Sequence, residues 1–431
     1  MILKVKLYRR RIMVKLNILS VILLNIMLSN DNYAEFEVHI NNSPYPSNMF
    51  IHTQHSNYMA ILDESLSPYW FIKSDHIGGL DFKPSYDIVS YFDKSNSQWI
   101  LANKNMIEVD TVKCTLGVTD YHDIRILESG GYILQAYDSL FYDMSNIVEG
   151  GHHNAKIKGI LRIQEFNSHH ELIFDWFALD HLEIQYYNNV NLANAEFTWM
   201  HGNSIEIDHD DNLIISDRRS SQIIKIDRLT GNVMWIFGGP LNSFLIANDP
   251  LNGFSKQHDA RRLHNGNLLL FDNGNNHNPP QSRVVEYIMD EINMEAYLHW
   301  SYSNPYNDIS VSMGSVQRLP NQNTLINWGN IHSRGAHVME VDPYNNIVLE
   351  IEFDIGSSYK VRKSNWNFNI PMLIGDANLD DIVNIIDVLY IINHILSEQS
   401  LDIFKLYKID LDKNAAVNVS DILILVNQIL Q

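Results

Sequence analysis

The sequence predicts an all-β fold, a six-bladed β-propeller, followed by a small α-helical domain. Three observations carry this prediction. Short β-type runs separated by Gly, Asn, Asp and Pro turns fill residues 35–353, a four-strand unit recurs along that stretch, and two acidic loops, each leading into an apolar helix, occupy the C-terminus. At 431 residues the chain is long enough for a large core and more than one domain.

The N-terminus is predicted to be a signal peptide spanning residues 1–30. Six basic residues between positions 4 and 15 precede an apolar run at 16–28. The alternative is a membrane anchor, but the run is shorter than the roughly 20 residues that cross a bilayer and contains Asn17 and Asn25. No later segment has transmembrane length, so we expect a secreted, periplasmic or cell-surface protein.

Charge and cysteine content exclude several functions. The formal net charge of −20 argues against nucleic acid as a partner, because a phosphate-binding surface needs clustered Lys and Arg. Cys114 is the single cysteine, which excludes an internal disulfide, a redox pair and a cysteine zinc site.

The clearest four-strand unit begins at His201 and reads HGNSIEID, NLIISD, QIIKID and VMWIFGG, with a tight RLTGN turn before the last strand. Four strands in up-and-down order make one propeller blade. Similar units begin at His258 and Gly314, and weaker ones at Met49, Leu80 and His122. The count predicts six blades over residues 35–356, with a linker at 357–374.

Polar residues recur at positions that this topology brings to one face. In a four-stranded meander, the start of the innermost strand, the end of the second and the start of the third share one end of the blade. His122, His201 and His258 stand at inner-strand starts, and the loops around Arg218, at 273–283 and at 329–334 belong to the same end. The spacing therefore predicts a polar funnel at one mouth of the channel.

The C-terminal residues 375–431 contain two loops with oxygen ligands at positions 1, 3, 5, 7, 9 and 12, the pattern that binds Ca²⁺. The predicted ligands are Asp376, Asn378, Asp380, Ile382, Asn384 and Asp387 in the first loop, and Asp410, Asp412, Asn414, Ala416, Asn418 and Asp421 in the second. The helices VLYIINHIL and ILILVNQIL follow the loops.

These tandem loops resemble the type I dockerin family. The resemblance implies folding on calcium and binding to a cohesin module on a partner protein. Asp381 and Ala415 stand at loop position 6, where the family usually has glycine. The alternative is a helical cap that binds neither metal nor cohesin.

Seven motifs between His122 and Phe353 resemble the bacterial aryl-sulfate sulfotransferases, a six-bladed propeller family. In chain order they are HGNSI, SDRRSSQIIKID, QHDARRL, LLLFDNGN, SRVVEY, GSVQRLP and INWGNIH. The resemblance implies an enzyme that moves a sulfuryl group from a phenolic sulfate donor to a phenol acceptor. The family works through a sulfated histidine, without a nucleotide sulfate donor.

Matching the motifs residue by residue implies a role for each side chain of the funnel. His332, in GNIH, matches the nucleophile, and His201 and His258 match supporting catalytic histidines. We expect substrate-binding roles for Arg218, Asn273, His277 and Arg283, the two arginines either holding the anion or fixing a loop. His277 stands where the family commonly has an arginine, so a titratable group replaces a permanent cation.

Other readings of the same residues remain open. His–Asp pairs on inner strands often tie blades together, which is the alternative for His122 with Asp123 and also for His201 and His258. His152 and His153 suggest a metal site, but no third ligand at suitable spacing is visible. The whole domain is alternatively a non-catalytic propeller that binds a ligand or glycan, or a hydrolase in which water replaces the phenol.

Overall fold

A computed structural model describes residues 36–54, 58–73, 81–187, 189–354, 356–366, 373–378, 382–397, 408–412, 414 and 416–430. The chain divides into a large unit, Glu35–Asn369, and a C-terminal unit that includes Ile370–Gln431. The predicted signal peptide lies outside the described residues. No helix in the described ranges is both long and apolar enough to span a membrane.

The described residues of the large unit form six sheets, which confirms the six-bladed propeller. Neighbouring strands are antiparallel except for one outer pair in each of the third and fifth blades. The strands of the first three blades, in chain order from β2 to β13, are Asn48–Thr53, Tyr58–Leu62, Pro68–Lys73; Lys83–Ser85, Ile88–Asp93, Gln98–Asn103, Glu108–Val112; and Val118–Ile126, Tyr132–Tyr142, Ala155–Phe166, Leu172–Phe177 and Glu196–Thr198. Helix α1 (Ala178–His181) and two single 3₁₀ turns (Met144–Asn146, Ile184–Tyr186) decorate the third blade.

The other three blades come next along the chain. Their strands, β14 to β26, are Gly202–Ile207, Leu213–Asp217, Gln222–Ile226, Val233–Gly238; Leu245–Ala247, His258–Arg262, Leu268–Asp272, Arg283–Asp290, Glu295–Ser303; and Ser315–Arg318, Thr324–Trp328, His337–Val341 and Ile347–Phe353. The fifth blade places β18 outermost, parallel to β22.

Both ends of the unit close the ring. Strand β1 (Phe36–Asn41) pairs with β26 and forms the outer edge of blade 6. Strand β27 (Arg362–Ser364) pairs with β2 and forms the innermost strand of blade 1. The MFIHT segment of blade 1 is thus a second strand, and its inner strand comes from the far end of the domain.

This closure corrects the predicted boundary between propeller and linker. The sequence placed residues 357–364 in the linker, but Tyr359 and Lys360 are fully buried and Arg362 begins β27. The reason is topological, because blade 1 has no inner strand of its own and takes one from the C-terminal side. Strand β27 has three residues and no flanking turn signals, so its sequence shows no hydrophobic periodicity that would assign it to a particular sheet.

Apolar side chains fill the spaces between neighbouring blades. Trp99 packs in a cluster shared by blades 2 and 3, and Phe271 meets Trp328 between blades 5 and 6 with ring centroids 5.3 Å apart. Both tryptophans are fully buried. Truncating such a ring costs about 3–5 kcal/mol, so inter-blade packing contributes strongly to stability in a chain whose single cysteine is free.

An ion network at the channel axis joins all six inner strands. Asp123 of blade 3 binds Lys83 of blade 2 (2.5 Å) and the backbone N–H of Ile205 in blade 4 (2.9 Å). Asp259 of blade 5 binds Arg362 of blade 1 (2.6 Å). Further links in the same network are Arg261 to Asp123 (2.9 Å), Arg261 to Asp259 (2.7 Å), the Val316 N–H of blade 6 to Asp259 (2.9 Å), and Lys360 to Asp81 and Asp123 (3.5 Å each).

The C-terminal unit packs two helices together, α2 (Ile385–Ser397) and α3 (Val419–Ile429). Its small core contains Val388 and Ile391 from α2 and Leu425 from α3, all buried. The two apolar segments that were predicted to be helices therefore form a helix pair.

Candidate active site

Three histidines of the inner strands of blades 3, 4 and 5 lie close together. His201 directly precedes β14 and His258 begins β19, as predicted, whereas His122 lies inside β9, which begins four residues earlier at Val118. The ring of His122 lies edge-on to the ring of His201, with centroids 4.7 Å apart and planes at 82°. Tyr359, which precedes β27, contacts His258 (5.5 Å between centroids) and His122 (6.3 Å). We call His122, His201 and His258 the histidine cluster. The structure brings these three together as the predicted topology requires.

The tautomer of His258 is set by its neighbour Asn273. Asn273 Nδ2 donates to the carbonyls of Ser310 (2.6 Å) and Met313 (2.9 Å), so its Oδ1 is the atom that faces the imidazole. His258 Nδ1 lies 2.6 Å from that oxygen and must donate to it. The proton is therefore on Nδ1, and Nε2 carries the lone pair, ready to accept a proton.

His122 is held in the same way by a carboxylate. Its Nδ1 lies 2.7 Å from Oδ1 of Asp120, which also accepts from the backbone N–H of His122 (2.9 Å). Burial acts to raise the pKa of Asp120, but the charge and hydrogen bonds of His122 outweigh it and the pKa falls. Asp120 is thus an ionised orienting group, the arrangement by which carboxylates position imidazoles at reactive sites.

The surroundings keep two cluster histidines uncharged. Burial, followed by the charge of neighbouring His122, lowers the pKa of His201 to about 3. Burial and then Arg218 place the pKa of His258 well below its ordinary value. Both rings are therefore neutral at physiological pH, which suits proton acceptance better than anion binding by charge.

Arg218, which directly follows β15, is one of three cationic side chains beside the histidine cluster. Its backbone N–H donates to the carbonyl of His201 (2.9 Å), and its Nη2 donates to the carbonyl of Val311 (3.0 Å). Its Nε is buried without a hydrogen-bond partner. In the described ranges Arg218, Arg219 and Lys256 form no ion pair within 4 Å. Burial lowers the pKa of Arg218 and of Lys256, and the charge of nearby Asp217 opposes that shift in both.

At the opposite ends of the inner strands, the cationic side chains do have carboxylate partners. A cavity of about 320 Å³ there is lined by seven basic side chains, each paired with at least one carboxylate. These are Lys83, Arg125, Arg261, Arg262, Arg318, Arg362 and Lys363. The cations that form no ion pair in the described ranges thus lie at the histidine end.

Arg283 and His277 both bind the buried carboxylate of Asp272, at the end of β20. Arg283 Nε lies 3.0 Å from Oδ2, and His277 Nε2 lies 2.8 Å from the same oxygen. The two terminal nitrogens of Arg283 bind Asp249 at 2.9 Å each, and Nη2 also donates to the Gly253 carbonyl. These contacts fit the loop-fixing role, one of the two roles predicted for Arg283, because four of its five N–H donors are already used.

His332 lies in a loop that docks beside Asn273. The preceding residue, Ile331, forms a β-bridge with Ser310, whose carbonyl binds Asn273. Asn330 Nδ2 donates to Ser312 Oγ (2.8 Å). The imidazole of His332 is exposed and makes no hydrogen bond, ion pair or ring contact with the part of the chain that the structure describes. Segment 310–313 therefore joins the His332 loop to the histidine cluster.

Sequence reasoning missed Asp120, Tyr359, Lys360 and segment 310–313. Asp120 follows the simple rule that a carboxylate two residues before a histidine can orient it, so a signal existed. Tyr359 and Lys360 had none, because their place depends on the unforeseen strand β27. Lys360 Nζ donates to the carbonyl of His122 (2.9 Å), and burial, opposed by Asp123, lowers its pKa to about 8.

The second predicted centre, the pair of C-terminal loops, shows one repeated hydrogen-bond pattern. Asp421, at position 12, accepts from the N–H of Leu411 (2.7 Å) and of Asn418 (2.8 Å). Asp387 accepts from the equivalent groups, Ala377 (2.8 Å) and Asn384 (2.8 Å), in the first loop. The predicted ligand Asp380, together with position-6 residues Asp381 and Ala415, lies outside the described residues.

The second loop fits a cation. Oxygens of Asp410, Asp412 and Asp421 all lie within 4.8 Å of one another, and two of these residues are buried. Burial and then the nearby Asp412 raise the pKa of Asp421, while hydrogen bonds oppose the shift. A hard cation relieves this repulsion with oxygen ligands, so the residues present suit Ca²⁺.

The fold and site define a propeller protein with three neighbouring histidines at one channel mouth, two of them neutral, beside an arginine that forms no ion pair in the described ranges. The chain belongs to the arylsulfotransferase (ASST) family, whose sequence profile matches residues 86–354, more than half of its length. Residues 374–430 match the type I dockerin domain. Both resemblances predicted from the motifs are confirmed.

Two solved structures are similar to this chain at low sequence identity. One is a protein of unknown function from Bacteroides caccae, 12% identical, with a TM-score of 0.47 over 74% of this chain and 98% of the other. Another is the catalytically inactive virginiamycin B lyase from Staphylococcus aureus with quinupristin, 10% identical, TM-score 0.38, over 74% and 89%. A search of curated protein sequences gives no match.

Proposed function

We propose that this chain is an exported aryl-sulfate sulfotransferase that transfers a sulfuryl group from a phenolic sulfate ester to a phenol through a sulfohistidine. The observation that carries the proposal is the histidine cluster, two members of which are neutral, beside Arg218, which has no carboxylate partner in the described ranges. A sulfate ester brings a negative charge that Arg218, which forms no ion pair in the described ranges, can bind.

His332 is proposed as the nucleophile. It is exposed and its ring has no partner in the described part of the chain, so a nitrogen lone pair is available to an incoming ester. A bond forms between that nitrogen and sulfur as the bond from sulfur to the aryl oxygen breaks, and the phenolate leaves. The acceptor phenol then attacks the sulfur and returns His332 to its free form.

His258 is proposed to manage the proton of this exchange. With Nδ1 donating to Asn273, its Nε2 takes the proton of the acceptor phenol and passes it to the phenolate leaving in the next cycle. Arg218 is proposed to bind the oxygens of the sulfuryl group. Its buried Nε without a partner is a donor that an anion satisfies.

The C-terminal unit is proposed to attach the enzyme to a cohesin-bearing partner outside the cytoplasm. Ca²⁺ bound by the two loops supplies the positive charge that orders their carboxylates, and the loops then fix the start of α2 and α3.

Release of phenolate from a chromogenic aryl sulfate, with and without added phenol, tests the activity. We expect turnover that needs phenol, that disappears in His332→Ala and that persists in His299→Ala, an exposed histidine of β22. Mass spectrometry after brief exposure to donor should find sulfate on His332. Turnover without phenol indicates a sulfatase, and unchanged turnover in His332→Ala overturns the nucleophile.

A non-catalytic ligand-binding propeller is the second candidate. It is favoured by one observation: His277 stands where the family commonly has an arginine, and its Nε2 is bound to Asp272. This candidate predicts saturable binding of an aryl sulfate with no product at any pH from acid to alkaline.

A further inference from the structure

A cluster of two histidines and a glutamate lies on blade 6, where the N-terminal strand closes the propeller. His39 is on β1, His337 begins β25 and Glu352 is on β26, so the cluster spans three neighbouring strands. One ligand atom from each residue lies within 4.8 Å of the others. These residues belong to neither the histidine cluster nor the C-terminal loops.

The strand register brings the three side chains to one face. His337 is paired directly with Glu352 across β25 and β26. A register shift between Val38 and Ile40 leaves His39 as the bulged residue of β1. Its Nε2 lies 3.2 Å from Glu352 Oε2, and its ring stands edge-on to that of His337 with centroids 6.3 Å apart. Bulges redirect side chains at sheet edges in this way.

His337 supplies the observation that points to a ligand. Its side chain is fully buried, yet neither ring nitrogen makes a hydrogen bond. Glu350 Oε1 lies 3.0 Å from Nε2 but outside hydrogen-bond geometry, and that oxygen already accepts from Tyr306 (2.7 Å). A buried imidazole normally has its polar atoms satisfied, so one lacking partners indicates a missing one.

The charges around the cluster favour a cation. The carboxylates that face it are Glu37, Glu350, Glu352 and Asp308, whereas Arg334 is the facing cation. Arg334 Nη2 lies 2.6 Å from Asp308, and its Nη1 lies 3.3 Å from Glu352. The side chain of Arg334 is one-quarter exposed, so it can turn to Asp308 alone when Glu352 takes another partner.

We propose that His39, His337 and Glu352 bind a zinc ion that fastens the N-terminal strand to blade 6. Two imidazole nitrogens and a carboxylate oxygen are a ligand set that Zn²⁺ accepts, with water in the fourth position. His39, 34% exposed, provides the open side. The ion links β1 directly to β25 and β26, so it stabilises the closure of the ring.

The test uses the full chain with Ca²⁺ present throughout, so that the C-terminal loops are occupied. We measure zinc retained after gel filtration, and zinc affinity by titration. We expect one Zn²⁺ per wild-type chain, and affinity at least about a hundredfold weaker in His39→Ala, a loss beyond that of removing an outer-shell partner. Co²⁺ in place of zinc should give the intense visible absorption of a four-coordinate site.

Two further variants keep the result interpretable. Glu352→Gln preserves side-chain shape and should also weaken zinc binding, whereas His153→Ala, an exposed histidine of blade 3, should retain it. Zinc should raise the melting temperature reported by tryptophan fluorescence in wild type and not in His39→Ala. Equal zinc binding by wild type and His39→Ala, or none by wild type, overturns the proposal.

Discussion

The imidazole of His258 donates from Nδ1 to Oδ1 of Asn273 over 2.6 Å, and Asn273 is fixed by two backbone carbonyls behind it. A neutral amide in this place sets the tautomer of the ring without adding charge. An aspartate there would orient the ring equally well but would also favour its protonated form.

Substitutions of Asn273 therefore distinguish its effect on the orientation of the His258 ring from its effect on the charge of that ring. Asn273→Asp should move an ionisation of kcat/KM toward neutral pH, with activity falling on the acid side as His258 becomes protonated. Asn273→Ala should lower kcat roughly a hundredfold, the size of a general acid–base contribution, without moving the profile. The pH–rate profile of aryl-sulfate turnover measures both, and an Asn273→Asp profile identical to wild type would contradict the role of His258.

Both arginines, Arg218 and Arg283, were predicted to bind substrate, but we expect substitution of Arg218 to affect substrate binding and substitution of Arg283 to affect stability. Arg218→Met should raise KM for the aryl sulfate about ten- to a hundredfold, because a hydrogen bond to a charged group contributes roughly 1.5–3 kcal/mol. Arg283→Met should instead destabilise the protein, since it leaves Asp249 and Asp272 buried without their cation. Steady-state kinetics and urea unfolding distinguish the two, and an unchanged KM in Arg218→Met would contradict anion binding there.

The histidine cluster predicts how stability changes with pH. The pKa of His201 is about 3 in the folded protein against an ordinary 6.5, so the unfolded chain binds more protons between these values. The contribution of His201 to stability is therefore complete above about pH 6.5 and decreases as pH falls toward 3. His201→Asn should flatten the decrease between pH 6.5 and 4.5, measured by urea unfolding at each pH. The exposed control His153→Asn should leave the slope unchanged, and an unaltered slope in His201→Asn would refute the assignment.

Periodicity predicted the blades because each buries a repeated strand pattern, as in the His201 unit. It did not predict that the inner strand of blade 1 is β27, because three residues carry no periodic signal and their partner Asn48–Phe50 is distant in sequence. The convergence of the histidine cluster followed from topology alone. Its orienting partners Asp120 and Asn273 depend on side-chain geometry, which sequence spacing does not determine.

The ion network at the channel axis predicts that a substitution of nearly the same shape lowers the free energy of unfolding strongly. Asp259→Asn keeps the shape but leaves Arg261 and Arg362 with less negative charge inside the protein. Breaking a buried pair in this way costs about 3–5 kcal/mol. All eight tryptophans precede residue 370, so their fluorescence in urea reports the propeller alone. If the free energy of unfolding falls by less than about 1 kcal/mol, the network contributes little to blade closure.

The two C-terminal loops predict independent calcium sites with matched variants. Asp421→Asn and Asp387→Asn each keep the side-chain size that accepts backbone N–H groups, but remove the charge that a bound Ca²⁺ needs. Each should reduce the stoichiometry from two ions to one in a calorimetric titration of the full chain. The pKa of Asp421 is raised, so protons compete with calcium there, and affinity at this site should fall as pH is lowered. If either variant still binds two ions, position 12 does not ligate the metal, and the loops hold their shape through the backbone hydrogen bonds alone.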